Sequence, residues 1–162
     1  FTLKGIQTMA ITSAVCNSFK QEILQGYHSF NASGDTPAGN AFKLALYTSS
    51  ATVNKSTTAY SATNEITNTS GSAYTAGGIA LTNVTPVLST DTAICDFSNV
   101  SWTSASFTAN GCLIYDDSTI TGMTTDAACV SIAFGGDKTV TSGTFTIEFP
   151  AAAASTAIIQ IA

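Results

Sequence analysis

The chain has 162 residues, a net charge of −5 and 9% charged residues, against about 25% in ordinary globular proteins. It has no Arg, and its five Lys (Lys4, Lys20, Lys43, Lys55, Lys138) are scattered, which excludes a basic nucleic-acid footprint. The 44% apolar share excludes a disordered chain, and no apolar run approaches the roughly 20 residues that span a membrane.

The first eight residues, Phe1–Thr8, precede a Met9–Ala10 pair that looks like a natural start. No signal-peptide pattern is present there. The expected organisation is an N-terminal extension or arm over 1–9 and a single β-sandwich domain over 10–162. Phe1, Leu3 and Ile6 stand among polar neighbours and are candidate residues for docking an arm on an adjacent subunit.

Ile11, Val15, Phe19 and Ile23 recur every four residues, which predicts a helix over about 12–25. Thr12 or Ser13 would cap its start and Gly26 would end it. Asn31–Asn40 carries Gly, Ser, Asn and Pro and reads as a loop. From Phe42 the period becomes two, with Phe42, Leu44 and Leu46 alternating with Lys43, Ala45 and Tyr47. Val53–Gly71 is a long Thr, Ser and Asn excursion; loops of that length are uncommon without a function. Further strands are expected at Ala73–Thr82, Ala93–Phe97, Ser106–Tyr115, Ala127–Phe134, Thr144–Phe149 and Thr156–Ile161. Gly77–Gly78, Asp116–Asp117, Gly135–Gly136–Asp137 and Ser142–Gly143 supply the turn chemistry between them. Short strands at this spacing predict a mainly β fold, an antiparallel β-sandwich with one N-terminal α-helix.

Little in the sequence points to catalysis. His28 is the one histidine, and it sits just past the helix end, where the helix dipole favours it. No G-x-S-x-G elbow accompanies it, so a Ser/His/Asp set has no anchor. Asp116–Asp117 is the one adjacent acidic pair, and neighbours on a strand point to opposite faces. Asp116, Asp117 and Asp126 lack the spacing of a calcium loop. The glycine pairs match no phosphate cradle. Cys16, Cys95, Cys112 and Cys129 show no metal-ligand spacing and are expected as free thiols, with Cys112 and Cys129 as potential neighbours in different strands. The reading is therefore no enzyme, no cofactor and no metal. Tyr60, Tyr74, Trp102 and Tyr115 suit either core packing or a surface platform. Of these, Tyr60, Tyr74 and Trp102 join Phe1, Leu3 and Ile6 as candidate interface residues.

Four stretches carry a resemblance: Met9-Ala-Ile-Thr-Ser-Ala-Val-Cys-Asn-Ser-Phe-Lys-Gln-Glu; Phe42-Lys-Leu-Ala-Leu-Tyr-Thr; Tyr74-Thr-Ala-Gly-Gly with Leu81-Thr-Asn; and Phe134-Gly-Gly-Asp-Lys with Thr144-Phe-Thr-Ile-Glu-Phe-Pro and Ile158-Ile-Gln-Ile. From Met9 onward the chain resembles a widespread family of small bacteriophage virion structural proteins. Phe1–Thr8 and Asn31–Asn40 depart from that pattern. The resemblance implies a place in a virion assembled in the bacterial cytoplasm, and it brings no catalytic residues.

Two expectations follow from this. The first is a capsid decoration (cement) protein that stabilises the head. Its partners would be the major capsid protein and copies of itself, with a trimer as one expected state, and neither nucleic acid nor membrane. The alternative is a tail or tail-fibre component that grips a host-surface glycan through Val53–Gly71 and its aromatics.

Overall fold

The computed structural model describes residues 11–67, 71–153 and 155–162. Phe1, Leu3 and Ile6 lie outside the described residues, as does the arm expected over 1–9. The fold is mainly β, with antiparallel sheets and one short N-terminal helix, consistent with the β-sandwich expected from the alternating stretches.

The helix is shorter than its apolar stripe predicts. Ala14–Val15 (β1) is an edge strand, paired with Ser131 and Val130, and the helix α1 spans Asn17–Leu24. The first two members of the stripe, Ile11 and Val15, belong to extended chain. Both are β-branched and favour strand. Backbone bonds from Thr12 N to Val53 O and from Cys16 N to Cys129 O hold that conformation. Cys16, not Thr12 or Ser13, occupies the N-cap, and its side chain caps nothing. Gly26 closes the helix as expected, at φ +77. Gly26 N bonds Ile23 O and Tyr27 N bonds Glu22 O, the paired closure that a left-handed glycine allows.

The larger sheet joins β1 to Phe42–Tyr47 (β2), Ile79–Ala80 (β3), Val100–Asp116 (β6) and Ala127–Ile147 (β7), in the order β1-β7-β6-β2-β3. The smaller sheet has Asn83–Ser89 (β4), Thr92–Phe97 (β5) and Ile159–Ile161 (β8), in the order β4-β5-β8. The register puts Leu44 opposite Ile114, and Leu46 opposite Cys112. Ile114 and Cys112 in turn face Val130 and Ile132. This apolar face is covered by α1 and the small sheet. Phe30 stacks on Phe42 at 4.5 Å, and Phe19, Phe97 and Phe149 continue the aromatic chain.

The opposite face carries Ala45, Tyr47 and Leu113, and the excursion after β2 covers it. Ala51, Val53, Ile66 and Tyr74 are buried there. Isolated bridges from Tyr47 to Glu65 and from Ala59 to Ala127 pin the excursion down. A structureless loop of that length is explained by its being a third layer of the core. Gly78 makes the close approach possible. At φ +80, a side chain there would run into the Leu44 carbonyl.

Three strand expectations change. Ala127–Phe134 and Thr144–Phe149 are two ends of one strand, β7. Between the pairs Gly111↔Ala133 and Ala109↔Lys138, the residues Phe134–Asp137 all face Asn110. Gly135–Gly136–Asp137 is therefore a bulge and not a turn, made possible by the positive φ of both glycines. Ser142–Gly143 is also inside β7, with Ser142 at φ +48. Ala73–Thr82 forms strand only at Ile79–Ala80, because Ser72–Gly78 curls over the sheet. Finally, β4 was not expected, since Pro86 interrupts its pattern. It is an edge strand, and its register shifts between Val84 and Val87, where a proline is tolerated.

Candidate functional site

The single histidine is the centre of a buried polar lock. His28 follows the Gly26 helix closure, and its side chain is fully buried. Nδ1 lies 2.8 Å from Asp116 Oδ2 at the end of β6, and Nε2 lies 3.2 Å from Glu22 Oε2 on α1. Asn40 Nδ2 also donates to Asp116 Oδ2, and Ser118 N donates to Oδ1 at 2.9 Å. Thr124 N donates to Glu22 Oε1 at 3.1 Å. The lock joins α1, the loop over residues 31–40 and both ends of the β6–β7 connection.

Burial alone would raise both carboxyls. For Glu22 the bonds from Thr124 and His28 outweigh it, and for Asp116 those from His28, Asn40 and Ser118 do, so both sit below the usual carboxylate range. Both imidazole nitrogens are occupied by carboxylates, so neither is free to take a proton from a hydroxyl. Asp117, next to Asp116 in the acidic pair, lies 2.9 Å from the Lys43 ammonium. No group of three or more His, Cys, Asp or Glu side chains is arranged to hold a metal ion among the described residues.

A second polar centre lies under the excursion. Glu65 is buried; Tyr60 Oη donates to its Oε2 at 2.6 Å and Tyr74 Oη to its Oε1 at 2.7 Å. Gly77 N adds a bond to Oε1 at 2.8 Å, and Leu46 N donates to Tyr74 Oη at 2.9 Å. Burial, then the bond to Glu65, pushes the Tyr60 phenol up to about 12.

This geometry places two of the interface candidates taken from the sequence in the interior. Tyr74 is 1% exposed and Trp102 is 6% exposed. Their rings pack together and on Phe107, inside the third layer. They help to cover the large sheet. Tyr60 is half-buried and lies flat against Tyr115, centroids 4.7 Å apart. A small cleft of about 220 Å³ in the excursion is lined by Thr52, Thr57, Ser61, Thr63 and Asn64 around Tyr47, but Tyr47 Oη is already spent on Ser61 O at 2.7 Å.

The surface that does offer something is on the small sheet, which the sequence reading missed. Leu88 is 72% exposed and Ile161 56% exposed. The register sets Leu88 opposite Ala93, and Ala93 opposite Ile161, in one row. Two residues along, the same side of the sheet carries Cys95 opposite Ile159, and Ile159 is buried. The row is thus the core-facing side of the small sheet continued past its cover. Val84 and Val87 add exposed apolar surface on β4.

All four cysteines are free. The neighbours are Cys16 and Cys129, not Cys112 and Cys129, because β1 continues its register past Val15. Burial pushes the Cys16 and Cys95 thiols up to about 11, and those of Cys112 and Cys129 higher still. Among the described residues no helix is long and apolar enough to cross a membrane. Comparison with protein-family models, with curated proteins and with solved structures gave no match to the chain.

Proposed function

We propose that this chain is a structural component of a bacteriophage particle, a decoration protein that docks on the capsid as a homo-oligomer beside the major capsid protein. The observation that carries this reading is the uncovered Leu88–Ala93–Ile161 row on a protein with few charges. Exposed apolar rows of this kind mark interaction surfaces. Burying this one desolvates few ions, and unpaired buried charge is the main penalty at an interface. The family resemblance of Met9–Ala162 supplies the class of assembly. The tail-fibre reading has less support, since two of its platform aromatics, Tyr74 and Trp102, are interior.

Copy number tests the choice. A stained gel of purified particles should show the chain in hundreds of copies per particle. Tens or fewer would favour the fibre, and absence from the particle would overturn both.

A further inference from the structure

We propose that the outer edge of β8 is a strand-addition site: it takes an extended, largely apolar segment of a partner protein, which roofs the trough beside it. The trough has two adjoining parts. One, of about 380 Å³, is lined chiefly by Cys112, Ile132, Phe134, Ile147, Phe149 and Ile158. The other, of about 410 Å³, shares Phe134 and Ile147 and adds Phe145. Cys112 and Ile132 belong to the face of the large sheet that α1 and the small sheet cover. No residue of β4 or β5 lines the trough, whereas Ile158 leads directly into β8. The trough is thus the part of that face left open beyond β8, where a sheet of three strands stops short of one of five.

The small sheet's ladder sets what this edge offers. β4 and β5 close at Ser89 and Thr92 around the two-residue turn Thr90–Asp91, and such a turn bonds its first carbonyl to its fourth N–H. Bonded and non-bonded pairs then alternate along the antiparallel ladder. Ala93 and Cys95 therefore direct their backbone groups to Ile161 and Ile159 on β8. Gln160, opposite Ile94, directs its N–H and C=O to the open side. Gln160 is exposed, and among the described residues no strand pairs with β8 there. Open edges are commonly guarded by proline, charge or a bulge. β4, the other edge of the same sheet, has Pro86 and a register shift between Val84 and Val87. Ile159–Ile161 has none of these guards.

These features define the occupant. Its backbone is extended so as to pair with Gln160, and its alternate side chains then point into the trough. The lining requires those side chains to be apolar. Glu148 is the charged residue lining the first part and Lys138 the one lining the second, so the complementary segment carries a base at the Glu148 end and an acid at the Lys138 end. A second copy joined through its own β8 does not fit. A two-fold pairing of β8 with β8 keeps both large sheets on the same side of the joined small sheets, and the two overhanging parts would occupy the same space. The inference does not depend on the particle reading.

Hydrogen exchange on the full chain tests it. The probe is a short synthetic peptide that alternates valine with threonine between a terminal lysine and a terminal glutamate. In the chain alone, the Gln160 amide should exchange quickly. With the peptide in excess it should slow by about tenfold or more, and the ring resonances of Phe134 and Phe149 should shift. Gln160→Pro removes the N–H on the open side, where a proline is tolerated; this variant should fold and lose the ring response to the peptide. Retention of that response in the folded variant would overturn the proposal. So would any of three results on the wild type, which decide the matter even if the variant does not fold. The first is no response to the peptide, and the second is ring shifts with no slowing at Gln160. The third is a Gln160 amide already slow in the chain alone, which would put the chain itself on that edge, or a second copy if the slowing grows with concentration.

Discussion

A lone histidine is ordinarily a surface group, yet His28 is enclosed between two acids from distant parts of the chain. Removing it leaves Glu22 and Asp116 buried without their shared partner. Leaving a buried hydrogen-bonding group without its partner costs about 1–3 kcal/mol, so His28→Ala should lower the urea midpoint; a change within error would show that the lock is not structural. The acids also set a pH dependence. Both have folded-state values below the ordinary carboxylate range, so their contribution is present above about pH 4 and is lost as pH falls through the depressed values. Urea midpoints should therefore fall in acid, and Asp116→Asn should flatten that fall. An identical acid limb in Asp116→Asn would place its origin elsewhere. Gly111 makes a separate prediction. With the Ile132 carbonyl and the Ile11 side chain against its missing Cβ, Gly111→Ala should destabilise the fold by roughly 1–3 kcal/mol, the usual cost of overpacking. Thermal denaturation of that variant, matched against the wild type, checks it.

Among the elements, the small sheet holds the functional argument. Leu88 and Ile161 are exposed, and surface changes away from special features usually fall within about 0.5 kcal/mol. Leu88→Asp with Ile161→Asp should therefore keep the unfolding midpoint while abolishing self-association in sedimentation experiments. Self-association that survives the double change would remove the row from the interface. The strands bearing the cysteines yield another test. Alkylation of the unfolded, unreduced chain should label four thiols by mass, and two labels would reveal a disulfide. Elements were legible where one physical signal dominated. The alternation of Phe42, Leu44 and Leu46 located β2, and Gly26 located the helix end. The signal failed where two elements shared a period, as when Ile11 and Val15 continued the helical spacing of Phe19 and Ile23 inside a strand. It failed again at Gly135–Gly136, because the same glycines serve a turn or a bulge and only the partner strand decides which.

For the molecule as a whole, the sandwich class was legible because alternation and turn spacing are local properties. The polar lock was not, since Asp116 lies 88 residues from His28 and no local pattern joins them. The same holds for Glu65: Tyr60 and Tyr74 look like surface aromatics until the excursion is seen folded over the large sheet. The exposed row on β4, β5 and β8 was hidden for a related reason, because its residues become neighbours only through pairing. Among the described residues the protein has three layers, with much of its polar chemistry turned inward as structural bonding and an apolar row exposed on β4, β5 and β8. On the proposed reading, that row is where the chain meets its partners in a phage particle. A reconstruction of the particle at side-chain resolution tests this most directly. The account predicts this fold on the outer capsid surface, with Leu88 and Ile161 buried against another subunit. Finding the chain along the tail axis, or as single copies touching no second copy with that row facing solvent, would contradict it.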